Sequence, residues 1–234
     1  FPAGDVHELA QAESWGMRVE RSAAREKSKY KKLELAAPYT AQQLDEIARI
    51  YAEEKCRGAD PLYFEDVAIG QALPQIVRGP YTATTAVAFE QGWGGLFIKA
   101  HGYWFDYLRR HPAAGIPNAY NIPEPPEAVH WDSALARTVG VPEAYDYGPE
   151  RISWLATLLT NWIGDDGFLS ELYCEVRRFN LIGDLTYCRG KVVSKEDRDA
   201  RTGTVKLEIE AVDQRGDSTA GGWAQVTLPR RSNN

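Results

Sequence analysis

The residues best suited to acid–base chemistry lie in a short stretch around His130. Glu127 precedes this histidine by three positions, and Asp146 lies farther along the chain. A histidine and a carboxylate can hold one water molecule between them, take its proton and later return it. A lone histidine is more often a structural residue, and neither carboxylate is marked by its spacing alone. His130, Glu127 and Asp146 are therefore candidates for proton transfer, with a structural role as the alternative for each.

Gly148 stands directly before the clearest helix of the sequence. Pro149 suits the first turn of a helix, and Gly164 suits the position just past its end. Backbone N–H groups at a helix start favour negative charge, so Gly148 is a candidate donor to an oxyanion, or else a simple turn glycine. Apolar residues cover much of this helix, which predicts that it is enclosed. They are Ile152, Trp154, Leu155, Leu158, Leu159 and Trp162.

The remainder of the chain after this helix predicts only strands. Apolar and polar residues alternate over 169–179, 185–193, 204–213 and 218–228, and short turns join these stretches. Such a pattern indicates an antiparallel meander. One enclosed helix followed by four long strands is most simply built by wrapping the sheet around the helix, an α+β architecture.

The first part of the chain carries weaker signals. Thr40 and Gln43 have the spacing of a helix-capping box, so residues 39–55 are predicted to be helical. Asp132 is interpreted as the N-cap of a short helix at 133–138. The other predicted elements are a strand within 6–19, a β-rich stretch at 76–82, helices at 84–91 and 96–110, and a loop at 111–126.

Composition limits the classes of function. The 234 residues carry a formal net charge of -6, which argues against a nucleic-acid-binding surface. No signal-peptide pattern opens the chain, and no apolar run approaches the roughly 20 residues that cross a bilayer, so we expect a cytoplasmic protein without membrane contact. The chain starts at Phe1 rather than Met, and we expect it to begin inside a longer product. Cys56, Cys174 and Cys188 have neither disulfide nor zinc spacing, and we expect no metal and no cofactor.

Three motifs together resemble the MaoC-like hydratase/dehydratase family of hot-dog proteins, over about residues 62–228. Tyr63-Phe64-Glu65-Asp66-Val67, with Gly70 and Leu73-Pro74, is similar to the family's opening strand. Val129-His130-Trp131-Asp132, continued to Gly148, is similar to its segment built on a histidine and an aspartate. The stretch 180–186, through Gly183-Asp184, is similar to its glycine–aspartate turn.

The resemblance implies a hot-dog fold, a curved antiparallel sheet wrapped around a central helix. Residues 61–234 would form this domain, and residues 1–60 would be the tail of a preceding hot-dog repeat plus a linker helix. The implied activity is a hydratase or dehydratase that adds or removes water at an α,β-unsaturated thioester of CoA or an acyl carrier protein. The implied partner is a second hot-dog domain or subunit, because open sheet edges tend to pair.

The resemblance also implies site roles and shows one departure. His130 would be the catalytic histidine and Gly148 the oxyanion glycine. R-specific enoyl-CoA hydratases of the family carry an aspartate five positions before this histidine, where this chain has Pro125. Glu127 or Asp146 would have to replace it, or this half is non-catalytic and shapes the acyl tunnel of a catalytic partner. A thioesterase is a third possibility, for which the central helix offers only Glu150.

Two further expectations concern the substrate. The aromatic-rich stretch from Trp93 to Tyr107 would suit a bulky, ring-bearing acyl group. Four basic residues on strands predicted to be adjacent could bind CoA phosphates, with a solvated sheet face as the alternative. They are Arg177, Arg178, Arg189 and Lys191.

Overall fold

A five-stranded antiparallel sheet forms the body of the protein, of which the computed structural model describes residues 9–16, 33–94 and 99–231. The helices are α1 (Ala41–Glu53), α2 (Ala83–Trp93), α3 (His101–Arg110), α4 (Ser133–Thr138) and α5 (Gly148–Ile163). The strands are β1 (Ile76–Arg78), β2 (Ile116–Pro117), β3 (Pro123–Glu124), β4 (Phe168–Val176), β5 (Thr186–Asp197), β6 (Thr202–Asp213) and β7 (Ser218–Pro229). The main sheet has the order β1–β5–β6–β7–β4, and β2 pairs separately with β3. None of the helices in these ranges is long and apolar enough to span a membrane.

Helix α5 lies against the sheet as its central helix. Leu155, Leu158 and Leu159 are fully buried, and they share one apolar cluster with side chains from β5, β6 and β7. The strands under the helix carry small residues, so the backbones approach closely. A Cβ atom added to Gly190 would lie 3.5 Å from Leu158. The predicted enclosure of this helix by the sheet is confirmed, because the apolar side chains that face the sheet are removed from water.

The C-terminal end of α5 is held by the segment that follows α1. The Arg57 side chain donates to the carbonyl of Trp162 at 2.7 Å, and its backbone N–H donates to that of Asn161 at 3.0 Å. Gly164 adopts φ +70° beyond the helix end, and a Cβ there would lie 2.7 Å from the carbonyl oxygen of Gly58. A cation at a helix C-terminus is favourable and satisfies carbonyls that have no helical partner.

The predicted glycine–aspartate turn joins the region before β5 to the end of β6. Gly183 has φ +91°, and the buried carboxylate of Asp184 accepts from the backbone N–H of Leu181 at 2.9 Å. Arg215 donates to both oxygens of Asp184, at 2.8 and 2.9 Å, and also pairs with Asp213. The turn is thus fixed by a carboxylate that uses both of its oxygens.

Most predicted elements are present, with their ends shifted by a few residues. The capping box of Thr40 and Gln43 is complete, and the Asp132 side chain caps α4 as predicted. The four late strands correspond to β4 to β7. Helix 96–110 is observed from His101, while residues 95–98 lie outside the described part of the chain.

Three local predictions need correction. The proposed opening strand around Phe64 is a 3-10 helix, Phe64–Asp66. The Phe64 ring covers the space above Gly203 in β6. The β-rich stretch 76–82 contributes only the three residues of β1 to the sheet. Residues 9–16, the described portion of the predicted strand 6–19, have no regular secondary structure, and the other residues of that prediction lie outside the described ranges.

Candidate functional site

His130 ends a 3-10 helix, Pro126–His130, and lies between two tyrosines. Its Nδ1 is 2.8 Å from the carbonyl oxygen of Tyr145, and its ring stacks on Tyr147 with centroids 3.8 Å apart. A carbonyl only accepts, so Nδ1 carries the proton and Nε2 keeps its lone pair. Burial lowers the pKa of His130 to about 4, although hydrogen bonds to the backbone oppose this shift. At neutral pH the imidazole is therefore an uncharged base.

The carbonyl that orients His130 is itself held in place. Tyr145 forms an antiparallel bridge with Leu181, and the backbone N–H of Asp146 donates to Asn180 at 3.0 Å. The Tyr145 ring also meets the imidazole edge-on, with centroids 4.7 Å apart. This short ladder connects the residues before α5 to the glycine–aspartate turn, so the turn supports the histidine indirectly.

Glu127 lies one turn before His130 in the same 3-10 helix. Residues three apart eclipse each other in a 3-10 helix, so the two side chains share one face. The Glu127 Oε2 atom is buried and has no hydrogen-bond partner in the described part of the chain. Glu127 and His130 therefore project from the same side of this 3-10 helix.

Asp146 is placed differently, because its carboxylate is paired with Arg151. Both side chains are at most 1% exposed, and Arg151 Nε donates to Asp146 Oδ2 at 2.8 Å while Nη2 contacts Oδ1. Arg151 also donates to the carbonyls of Thr219 and Arg178. Asp146 therefore fastens the first turn of α5 to the ends of β4 and β7, and proton transfer would require it to leave this pair.

Gly148 is the first residue of α5, directly after the stacked Tyr147. Its φ is not in the left-handed region, and a Cβ would meet no atom within 4 Å beyond its chain neighbours and its own helix backbone. Neither backbone conformation nor crowding requires glycine here. The space beside the N-terminal backbone of α5 is open, as an oxyanion would need.

Glu150 lies in the first turn of α5. The Tyr81 hydroxyl donates to its Oε2 at 2.8 Å, and the carboxylate also bonds to the backbone of Tyr147, which caps the helix start. Burial is the main reason that the pKa of Glu150 rises to about 7. The side chain is 2% exposed, so it belongs to the buried wall of the site.

Sequence reasoning missed Glu90, Phe89 and their contact with Tyr147. Glu90 is 2% exposed and couples electrostatically to Tyr147, while the Phe89 and Tyr147 ring centroids are 5.6 Å apart. The signal was present in α2, because Ala86 and Glu90 are four residues apart and so share one face. A glutamate on the buried face of a short helix is a polar residue that needs an explanation.

The architecture matches several solved structures at low sequence identity. An (R)-hydratase from A. caviae involved in PHA biosynthesis has a TM-score of 0.52 and 16% identity over 70% of this chain and 99% of that one. A MaoC-like dehydratase from Rhodospirillum rubrum has a TM-score of 0.51 and 16% identity over 73% and 99%. A monoamine oxidase regulatory protein from Archaeoglobus has a TM-score of 0.52 and 19% identity over 76% and 99%. This chain has the MaoC-like hot-dog fold.

The evidence for that fold is structural alone. No protein-family model and no curated protein matches the sequence. In this MaoC-like hot-dog chain α5 is the central helix, and the histidine segment approaches its N-terminal end. Within the described ranges, no group of three or more His, Cys, Asp or Glu side chains is arranged to hold a metal ion.

The predicted basic patch is not assembled by this fold. Arg177 and Arg178 follow β4, whereas Arg189 and Lys191 lie on β5, and β6 and β7 separate those two strands. Arg177 and Arg178 pair with acidic side chains instead. The prediction assumed that strands consecutive in sequence are neighbours, and the crossover from β4 to β5 breaks that assumption.

The aromatic-rich stretch divides into two parts. Trp93 stacks on Phe89 and lies near Tyr147, with ring centroids 5.7 and 6.4 Å apart respectively, and it is 56% exposed. Tyr103 and Phe105 are exposed on α3. In the MaoC-like hot-dog chain, then, one aromatic row leads from the surface at Trp93 through Phe89 and Tyr147 to His130.

Proposed function

We propose that this protein is a hydratase or dehydratase of α,β-unsaturated acyl-CoA thioesters. The observation that carries the proposal is His130, a neutral imidazole oriented by the Tyr145 carbonyl and aligned with Glu127 on one face of a 3-10 helix. Two proteins of similar fold are described as an (R)-hydratase and a MaoC-like dehydratase, which supports the same reaction class here.

The reaction can be written with the residues of this site. Nε2 of His130 takes a proton from water as the water oxygen bonds to C3 of the enoyl thioester. The π electrons move towards C2 and the thioester oxygen, where the backbone N–H of Gly148 and the α5 dipole stabilise the enolate. The imidazolium then returns this proton to C2, while the Glu127 side chain orients the water. Dehydration runs the same steps in reverse.

This assignment uses Glu127 and omits Asp146 for a physical reason. The Asp146 carboxylate is fully buried and bonded to Arg151 through both oxygens. Removing it from this pair would leave an uncompensated buried cation, which costs several kcal/mol. Glu127 has a buried oxygen without a partner and needs no such rearrangement.

The same proposal extends to the substrate and partner. The row of Trp93, Phe89 and Tyr147 would bind a bulky acyl group, carried by CoA or by an acyl carrier protein. A second hot-dog domain or subunit would pair with an open edge of the sheet, with residues 1–60 belonging in part to a preceding repeat. We place the reaction in the cytoplasm.

The test is a His130→Gln substitution. Glutamine keeps polarity and approximate size but cannot take a proton at the Nε2 position, so hydration should fall by about 10²–10⁴. Binding of a saturated acyl-CoA, measured by calorimetry, should change little. His111→Gln, at an exposed histidine on the C-cap of α3, is the matched control.

The same assay separates the alternatives. Turnover within a few-fold of normal in the His130→Gln protein would contradict catalysis by this residue and leave the non-catalytic half, which shapes an acyl tunnel. Release of free thiol without formation of a hydroxyacyl product would indicate a thioesterase instead.

A further inference from the structure

Tyr81 is a buried side chain that reaches the first turn of α5. It follows the short strand β1, and it is only 1% exposed. Its hydroxyl donates to Oε2 of Glu150 at 2.8 Å, and its ring meets that of Trp154 edge-on, with centroids 6.2 Å apart. Glu150 and Trp154 are four residues apart and share one face of the helix, so Tyr81 contacts α5 at two successive turns.

The backbone of Tyr81 is held by the glycine–aspartate turn. The N–H of Tyr81 donates to the carbonyl of Asp184 at 2.9 Å, and the N–H of Gly183 donates to the carbonyl of Tyr81 at 2.8 Å. The Asp184 side chain is itself paired with Arg215. The phenol is therefore presented to α5 from a backbone that is bonded through both its N–H and its carbonyl.

The first turn of α5 is attached to the rest of the protein through two neighbouring side chains. Arg151 pairs with Asp146 and donates to carbonyls at the ends of β4 and β7. Glu150 bonds to Tyr81 instead, and so attaches the same turn to β1 and the glycine–aspartate turn. Gly148 belongs to this turn but has no side chain to anchor it. The direction of its N–H therefore depends on how its neighbours hold the turn.

We propose that Tyr81, acting through Glu150, positions the Gly148 N–H for the enolate. N–H groups in the first turn of a helix have no helical acceptor and are available to a ligand. Such a donor stabilises an oxyanion only if it points at the oxygen in the transition state, so a small change of direction lowers the rate although the substrate still binds. Tyr81 is a positioning residue in this scheme, and its use in catalysis rests on the proposed function.

The hydrogen bond of Glu150, rather than its charge, serves this role. A full negative charge in the first turn of α5 would oppose the enolate that develops there. Burial raises the pKa of Glu150 to about 7, although the bond from Tyr81 opposes this shift, so the side chain readily holds a proton at neutral pH. A protonated carboxyl keeps an oxygen that can accept from the phenol. Replacing Glu150 with glutamine should therefore preserve the bond and remove only the charge.

The positioning is tested by NMR of the chain labelled with nitrogen-15 glycine. The Gly148 signal is assigned as the one lost in Gly148→Ala, a substitution for which there is room. Tyr81→Phe keeps the ring against Trp154 and removes only the hydroxyl, so the Gly148 amide signal should shift. Tyr39→Phe is the matched control, because it removes a phenol bond of 2.8 Å to the carbonyl of Gly183 and should leave the Gly148 signal in place. A Gly148 signal that is indifferent to Tyr81→Phe would overturn the proposal.

The use of the positioning is tested by the kinetics of hydration. Tyr81→Phe should lower kcat by roughly 10–10²-fold with KM nearly unchanged, because the lost alignment matters only in the transition state. Glu150→Met should have the same effect, whereas Glu150→Gln should retain most of the rate. Adding Tyr81→Phe to Glu150→Met should cost nothing more, since both changes break one bond. Losses that multiply in the double variant, or that are equal in Glu150→Gln and Glu150→Met, would show that Tyr81 does not act through this bond.

The two measurements separate this inference from the proposed function. A Gly148 signal that responds to Tyr81→Phe, in a chain that hydrates no thioester, would keep the positioning and defeat the proposed function. Hydration at the normal rate in Tyr81→Phe, with an unmoved Gly148 signal, would keep the proposed function and defeat the positioning.

Discussion

Two groups of acidic residues with buried oxygen atoms are built in opposite ways in this protein. At the glycine–aspartate turn, Asp184 and Asp213 share Arg215, and Asp184 also accepts from the side chain of Gln214. At the candidate site, Glu90 and Glu127 each have a buried Oε2 atom that has no hydrogen-bond partner among the described residues. The first group uses its carboxylate oxygens in ion pairs and hydrogen bonds, and the second leaves one oxygen of each carboxylate unused.

The difference shows that a buried carboxylate with partners and one without them suit different roles, the first structural and the second functional. A compensated carboxylate holds its neighbours in one geometry and gains nothing from changing its protonation state. A carboxylate with an unused buried oxygen can accept a proton or a hydrogen bond without breaking an ion pair, as proton transfer requires. Asp146, paired with Arg151, belongs to the first kind although it lies two residues from Gly148.

Among the substitutions that test this comparison, Arg215→Met should change the free energy of unfolding most. The substitution leaves Asp184, whose side chain is fully buried, and Asp213 without their cation, so the free energy of unfolding should fall by about 3–5 kcal/mol. Urea denaturation measures the loss. Arg189→Met is the control, since that arginine is exposed and bonds only to Gln75 among the described side chains. Equal stability of the two variants would mean that the turn does not depend on charge compensation.

At the candidate site, removing a charge should raise the stability of the protein instead of lowering it. Glu90→Leu replaces a buried, unsatisfied carboxylate with an apolar side chain of similar size, so stability at neutral pH should rise by about 1–3 kcal/mol. Hydration activity should fall in the same protein, as expected where a strained site is exchanged for stability. A loss of stability comparable to that of Arg215→Met would place Glu90 with the compensated carboxylates.

The smallest effect is expected in the pH dependence of stability. Burial raises the pKa of Glu150 to about 7 from its ordinary value of 4.5. The folded state thus holds this proton more tightly, and its contribution to stability is complete below about pH 4.5 and declines as pH rises towards 7. Thermal unfolding of Glu150→Gln across this range should lack that decline. Parallel curves for the two proteins would show that Glu150 titrates alike when folded and unfolded.

The sequence predicted the helices and strands whose apolar residues recur at the spacing of that element. The central helix α5 and strands β4 to β7 follow from apolar spacing, and the caps by Thr40 and Asp132 follow from side-chain type at a helix start. The histidine segment could be located because its motif is contiguous. Its chemistry could not, since the neutral state of His130 depends on burial under Tyr147.

The missed or wrong predictions all depend on contacts distant in sequence. Glu90 looks like a surface residue until α2 is packed against the site. Phe64 is expected in a strand because its motif resembles the family's opening strand, but its ring fills the space above Gly203. The basic patch of Arg177 and Arg189 failed because strand order in the sheet differs from strand order in the chain.

The cap that Arg57 places on α5 bears on how this protein can be divided. α5 has 16 residues and so spans about 24 Å, from the carbonyls that Arg57 holds to the backbone beside Gly148. A cut between residues 60 and 61, where sequence alone draws the domain boundary, would separate the helix from that cap. A gene fragment meant to carry the site into another protein should therefore start upstream of α1. A segment exchanged intact by recombination would therefore include α1 and Arg57 in addition to the sheet and α5.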